Sequence, residues 1–188
     1  MNIFIGCSSS EYISDKYLID SKVFLEELFI RDNNLIFGVC SKGLMGLSHD
    51  IAIKNSREVI GICPLIYMEQ LNDVNCTSEE VTDTVGDRIK NIIDEADVLL
   101  FLPGGIGTVY ELFTAIESKR AGEHNKPIII YNVLSRCGVE ASSQTIIRLY
   151  HDCNHIIGLK HASSNISLIK QLKNEIPSFL IYGGEDHY

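Results

Sequence analysis

Residues 97–111 read DVLLFLPGGIGTVYE, and the rest of the chain is interpreted around this segment. The apolar run from residue 98 to residue 102 has no polar interruption, which is typical of a strand buried on both faces of a parallel sheet. A proline and two glycines end the strand, and Thr108 then opens a segment with helical apolar periodicity. The pattern predicts a strand, a glycine turn and a helix N-terminus in direct succession.

A junction of this kind is an anion-binding site. Backbone N–H groups converge there, at the positive end of the helix dipole. Glycines suit the turn because a Cβ would block the approach of phosphate oxygens, and because the turn can demand a positive φ. The sequence therefore predicts that this loop binds a small anionic group.

Glu111 follows Thr108 by three residues and has two interpretations. Thr-x-x-Glu is the pattern of a capping box, in which a glutamate at N3 bonds back to the N-cap N–H. Arg88 favours a functional role instead, because it flanks the apolar stripe of a helix predicted over residues 82–95. From there its guanidinium can lean over the carboxyl edge of the sheet, where α/β proteins bind ligands. A lone helical arginine is otherwise usually solvated.

The bulk composition indicates an ordinary globular protein. The 188 residues are 45% hydrophobic and 22% charged, which predicts one domain over residues 1–188 with a sizeable core. A net charge of −9 argues against a broad nucleic-acid or anionic-membrane surface. No apolar run reaches membrane length, and the N-terminus has no basic signal region. Six scattered cysteines without a CxxC pair indicate reduced thiols, so we predict a cytoplasmic location.

Short strands and amphipathic helices alternate along the chain. Strands are predicted over residues 2–5, 35–39, 58–63, 98–102 and 128–131, with a short one at 155–159, and residues 179–182 fit either a small strand or a subunit-contact arm. Helices are predicted over residues 17–29, 43–54, 82–95, 108–121, 140–150 and 165–174, and a loop with at most a helical turn over 67–80. This order predicts an α/β, Rossmann-like, doubly wound parallel sheet whose Ile3 and Val98 strands are neighbours at the switch point.

An arginine fifteen residues before PGGxGTxxE resembles the Lonely Guy family of nucleotide phosphoribohydrolases, whose members are often labelled possible lysine decarboxylases. The resemblance covers roughly residues 2–132, with the signature region at 82–132 and further helices and a tail at 138–188. The other similar motifs are IGCSSS (5–10), FGVCSKGLMG (37–46), REVIGICP (57–64) and KPIIIYN (126–132).

The resemblance implies hydrolysis of the N-glycosidic bond of an adenosine-type nucleoside 5′-monophosphate, including prenylated cytokinin precursors, to free base and ribose 5-phosphate. It implies that Arg88 and Glu111 are the catalytic pair. The 5′-phosphate would be held by Gly104, Gly105, Gly107 and Thr108. No cofactor or metal is expected. Together with the apolar tail at 179–182, the resemblance also implies a homodimer with helices near the signature motif in its interface.

Some residues depart from the family pattern. Val39 and Cys40 stand where the family usually has glycines, and are expected to narrow the pocket or alter nucleotide fit. Ile89 stands where a lysine usually follows the arginine, and Tyr110 where an acidic residue is common. The departures at Val39, Cys40 and Ile89 favour an alternative function, a non-catalytic nucleotide or cofactor binder on the same fold. The retained catalytic pair favours the enzyme.

Other chemistries have weaker support. His151, Cys153, His155 and His161 are spaced irregularly for a zinc site, so we predict a polar surface segment. The GxGxxG fingerprint of a dinucleotide site is absent, and no pyridoxal-lysine context is recognisable. Cys137 and Cys153 lack a histidine or asparagine context for a nucleophilic thiol.

Overall fold

The computed structural model describes residues 1–132, 142–152, 156–161 and 165–183. Within them lie eight strands: β1 Asn2–Gly6, β2 Asn34–Phe37, β3 Val59–Pro64, β4 Ser78–Thr82, β5 Val98–Phe101, β6 Ile128–Asn132, β7 Ile156–His161 and β8 Leu180–Gly183. The described helices are α1 Asp15–Ile30, α2 Gly43–Lys54, α3 Val85–Glu95, α4 Ile106–Arg120, α5 Ser143–Asp152 and α6 Ile166–Glu175, with a 3₁₀ segment at Leu65–Asp73.

The strands form one parallel sheet in the order β4-β3-β2-β1-β5-β6-β7-β8. β1 pairs with β5, and Ile3 lies opposite Val98, as predicted. The chain builds the sheet outward from β1 to β4 in one direction, then returns and builds from β5 to β8 in the other. The switch point is therefore between β1 and β5, and the crevice at their carboxyl ends is where such sheets bind ligands.

Helices cover both faces of the sheet. Successive residues of a strand point to opposite faces, so each strand contributes to the core on both sides. Ile3 and Ile5 of β1 belong to a core cluster that includes residues of α1 and α2. Phe4 belongs to the other cluster, which includes residues of α3, α4, α5 and α6. The predicted doubly wound α/β architecture is confirmed. That the chain is a single domain stays a prediction, which the continuous sheet supports.

The prediction of a loop over residues 67–80 missed β4. The sequence of this strand, SEEVT, has no apolar run because β4 is an edge strand and most of its side chains face solvent. The next helix consequently begins at Val85, later than predicted, and Thr84 caps it by accepting a hydrogen bond from the Asp87 N–H. No helix in the described part of the chain is long and apolar enough to span a membrane.

Candidate active site

Arg88 of α3 and Glu111 of α4 form a buried ion pair. Nη2 of Arg88 donates a hydrogen bond to Oε1 of Glu111, and the two side chains are only 11% and 6% exposed. The pair lies against Gly6, the last residue of β1, and Gly38, the residue after β2. Two residues 23 positions apart in sequence therefore meet at the carboxyl edge beside the switch point.

Glu111 does not cap its helix. α4 begins at Ile106 with Gly105 as its N-cap residue, two positions before the start predicted from the sequence, and no side chain caps it. Thr108 is the third residue of the helix and Glu111 the sixth, so a capping box between them cannot form. The capping interpretation is wrong, and the carboxylate is instead committed to Arg88.

The surroundings of Glu111 are apolar. Phe4, Phe101, Ala115 and Ile89 line the space beside its side chain. Burial in this environment raises the pKa of Glu111 above its ordinary 4.5, and the charge and hydrogen bond of Arg88 offset only part of the rise. Ile89, at the position where the family usually has lysine, is 2% exposed and thus belongs to this apolar wall.

A neutral thiol lies near the carboxylate. Burial, followed by the negative charge of Glu111, raises the pKa of the Cys7 thiol. A side-chain hydrogen bond between Ser48 and this thiol opposes the rise. Cys7 therefore behaves as a small apolar group at the end of β1 and is not a nucleophile.

The glycine loop leaves the N-terminus of α4 open. A Cβ at Gly105 or Gly107 would meet nothing within 4 Å, whereas a Cβ at Gly104 would overlap the side chain of Thr108. The expectation of a positive φ is wrong, since Gly105 has φ −93° and no glycine of this fully described loop has a positive φ. The first N–H groups of α4 have no partner within the helix and no side-chain cap, so they are available to an anion.

Two other loops hold this edge in place. The N–H of Ser8, after β1, donates to the carbonyl oxygen of Pro103 at 3.0 Å, and the N–H of Met45 in α2 donates to the Ser8 carbonyl at 3.1 Å. Gly43 has φ +60° and lies so close that a Cβ would be 2.7 Å from the carbonyl oxygens of Ser8 and Ser10. The serine loop is therefore fixed between the glycine loop and the start of α2.

Val39 has a backbone conformation that favours glycine. Its φ is +62°, in the left-handed region that costs a β-branched residue on the order of 1–3 kcal/mol. Glycine, the residue of the family pattern at this position, adopts this conformation without strain. The side chain is 1% exposed and packs towards Gly61 in the core, so it does not narrow the site as the sequence had predicted. Cys40 is half-buried and packs against the same core cluster.

Outside this edge, the predicted polar segment is only partly described. His151 is exposed at the end of α5, whereas His161 is buried at the end of β7, so the prediction of a polar surface is wrong for His161. Cys137, Cys153 and His155 lie outside the described residues. Near the pair, the sequence analysis gave no function to Gly6, which followed the first predicted strand, or to Gly38, which lay inside the second; the structure places both beside the pair.

Comparison with known proteins gives two overlapping similarities. A family model described as "Possible lysine decarboxylase" matches residues 45–135, and a model described as "Dihydrodipicolinate synthetase family" matches residues 108–188. The chain is 32% identical over 142 residues to the probable cytokinin riboside 5′-monophosphate phosphoribohydrolase LOG6 of Arabidopsis thaliana. The aligned region covers 70% of this chain and 66% of that protein. It is 40% identical over 78 residues to the 4-hydroxy-tetrahydrodipicolinate synthase of Campylobacter jejuni subsp. doylei, covering 42% of this chain and 25% of that protein.

Among solved structures, the molybdenum cofactor carrier protein of Chlamydomonas reinhardtii has a similar fold. The TM-score is 0.62 at 16% identity, over 94% of this chain and 98% of that one. This likeness confirms the fold alone. The chain spans between 47% and 66% of the length of these phosphoribohydrolases. The similarity by itself therefore does not establish their activity for this chain.

Proposed function

Since the chain belongs to the Lonely Guy family, we propose that it hydrolyses the N-glycosidic bond of a purine nucleoside 5′-monophosphate to free base and ribose 5-phosphate. One observation carries the proposal. A buried arginine–glutamate pair lies at the carboxyl edge of the sheet, and the open N-terminus of the helix that bears the glutamate begins at the same edge.

The chemistry suits these groups. Cleavage of an N-glycosidic bond passes through an oxocarbenium-like state on the ribose, as in other glycoside hydrolyses. The Glu111 carboxylate stabilises that positive charge or activates the attacking water. Arg88 holds the carboxylate through Nη2 and orients it, and a guanidinium group also suits the sugar or the phosphate as a hydrogen-bond donor.

The glycine loop supplies the phosphate site in this proposal. The exposed backbone at Gly104, Gly105 and Gly107, above the buried Thr108, presents N–H groups to the 5′-phosphate. Binding of the phosphate, which does not react, fixes the position of the ribose carbon relative to Glu111. The departures at residues 39 and 89 lie in the core and the apolar wall, so both are compatible with nucleotide binding.

The direct test is incubation with a panel of nucleoside monophosphates, with free base and ribose 5-phosphate measured by chromatography. Release of both products from a purine monophosphate is expected. Tight binding of a monophosphate without release would establish the alternative, a non-catalytic nucleotide or cofactor binder on the same fold. If no monophosphate is bound and no base is released, both functions are wrong.

Gly105→Val is expected to raise KM for a nucleotide substrate about tenfold or more, because the side chain would fill open space at the phosphate position. The fold should survive, since no atom lies within 4 Å of the added Cβ. Gly86→Val is the matched control, because Gly86 is likewise an exposed glycine at the start of a helix, with Thr84 Oγ1 at 3.6 Å as its nearest neighbour. Unchanged KM in Gly105→Val would place the phosphate elsewhere.

We also propose that the protein is a homodimer, with α4 in the interface. Four apolar side chains recur at helical spacing on its outer face and are exposed, with Ile106 at 86% and Phe113 at 59%; the others are Val109 and Tyr110. A twofold pairing would bury this stripe against its copy.

Sedimentation velocity at micromolar concentration is expected to show a dimer, and Phe113→Glu is expected to shift it to monomer by placing a charge in the interface. Ile30→Glu is the control, because Ile30 is similarly exposed, at 64%, but ends α1 on the opposite face of the sheet. A wild-type monomer, or equal effects of the two variants, would contradict the proposed interface.

A further inference from the structure

Two glycines border the ion pair at neighbouring strand ends. A Cβ built on Gly38 would overlap Nη1 of Arg88. A Cβ built on Gly6 would lie 3.2 Å from Oε2 of Glu111 and 2.7 Å from the Phe101 ring. Because β1 and β2 are adjacent in the sheet, the two glycines together form one slot beneath both members of the pair.

From this geometry we infer that Gly6 and Gly38 are positioning residues, whose missing side chains let Arg88 and Glu111 reach each other over the sheet edge. The inference rests on the proposed function and deepens it. Conformation does not explain the two glycines, because neither has a positive φ. Space for the guanidinium and the carboxylate does explain them.

Gly38 gives the sharper test of the two. The atoms nearest to its added Cβ belong to the Arg88 guanidinium, and the next is Met45 Cε at an ordinary 3.7 Å. A methyl group there would push the end of a flexible side chain and leave the backbone undisturbed. Gly6 differs because the Phe101 ring packs edge-on against Phe4, with ring centroids 5.8 Å apart, so an alanine there would disturb the core as well.

Displacing the guanidinium is expected to impair the pair strongly. Nη1 would have to move by roughly 1 Å or more to make room, and a misplacement of about 1 Å in a catalytic constellation can cost on the order of 10²-fold in rate. The Nε of Arg88 does not help to hold the guanidinium in place, because it is buried without a hydrogen-bond partner in the described part of the chain. The Nη2 bond to Glu111 is therefore the contact at risk.

The first experiment is a double-mutant cycle on nucleoside monophosphate turnover. Gly38→Ala is expected to lower kcat by about 10²-fold. In an Arg88→Ala background it should cause no further loss, because it acts through Arg88 alone. Gly86→Ala is the matched control on the helix of Arg88, with space for its methyl group and wild-type turnover expected. Additive losses in the double variant, or normal turnover in Gly38→Ala, would overturn the inference.

A second readout does not depend on activity. In protein labelled with ¹⁵N-arginine, the Nε signal of Arg88 is assigned by its disappearance in Arg88→Ala. Gly38→Ala should shift that signal and Gly86→Ala should leave it in place, with the other arginine signals unchanged in both. An unshifted signal in Gly38→Ala would contradict the positioning role of Gly38 even if the wild type hydrolyses no nucleotide. A shifted signal with no wild-type turnover would support the positioning role and reject the proposed function.

Discussion

Glu111→Gln is expected to lower kcat on a nucleoside monophosphate by about 10²-fold or more. Glutamine preserves the shape of the side chain and can still accept the hydrogen bond from Arg88 Nη2. It removes the negative charge that would stabilise an oxocarbenium ion or activate water. The effect therefore isolates the charge of Glu111 from its packing, and single-turnover rates with a purine monophosphate measure it.

The pH profile gives this prediction a second readout. In the proposed reaction the ionised carboxylate is the active form, and burial raises the pKa of Glu111 above 4.5. Wild-type kcat/KM should therefore fall as the pH falls through that raised pKa, and the residual activity of Glu111→Gln should lack this limb. Stability should follow the opposite direction. A carboxyl whose pKa is raised on folding contributes its full stability below 4.5, and this is lost as pH rises through the folded pKa.

Glutamine does not titrate, so the loss of stability above pH 4.5 should be absent from the melting temperatures of Glu111→Gln. The control is Glu117→Gln, because Glu117 is on the same helix but its pair with Arg120 is exposed. Its turnover should match the wild type. Wild-type turnover in Glu111→Gln itself would rule out the catalytic role.

The sheet was predictable because its central strands are buried on both faces. An apolar run such as residues 98–101 has few alternatives to a parallel strand, and the intervening helices follow from the alternation. β4 escaped prediction for the same physical reason, since an edge strand with exposed side chains needs no apolar pattern. The sequence pattern therefore predicts the buried strands and misses a strand whose side chains are exposed to solvent.

Of the site, only those features were predictable that follow from the spacing of Arg88 and the glycine motif. The pairing of Arg88 with Glu111 came from the family motif, and the structure supplies its geometry. The start of α4 was misplaced because Thr-x-x-Glu fits a capping box in any isolated stretch, and only the Gly105 N-cap excludes it. The strained backbone of Val39 was not foreseen, because the family's usual glycine at this position was interpreted as a matter of pocket width and not of a positive φ.

The two family similarities meet within the sheet. Residues 108–135 are common to both matches and contain most of α4 and all of β6. The outer strands β7 and β8 lie only in the second match, and Gly6, Gly38 and Arg88 all precede it. Of the proposed catalytic pair, only Glu111 belongs to both. The second similarity therefore bears on the outer half of the sheet and not on the ion pair as a unit.

Arg88→Ala is expected to reduce turnover to a similar extent and also to destabilise the fold. Arg88 was predicted to flank the apolar stripe, but its side chain is only 11% exposed and its partner 6%. Removing one member of a buried ion pair leaves an uncompensated charge, which typically costs about 3–5 kcal/mol. Glu111 can relieve part of this cost by protonation, so its pKa should rise further and the acid limb of the rate profile should move to higher pH.

The double variant Arg88→Ala with Glu111→Gln separates a shared role from two independent ones. If the residues act as one unit, its loss of turnover and its loss of unfolding free energy in urea are both less than the sums of the single losses. Stability should partly recover relative to Arg88→Ala, because no unpaired carboxylate is left buried. Arg120→Ala is the control, since its ion pair is exposed and its removal should change neither quantity appreciably. Fully additive losses would mean that Arg88 and Glu111 act separately, despite the hydrogen bond between them.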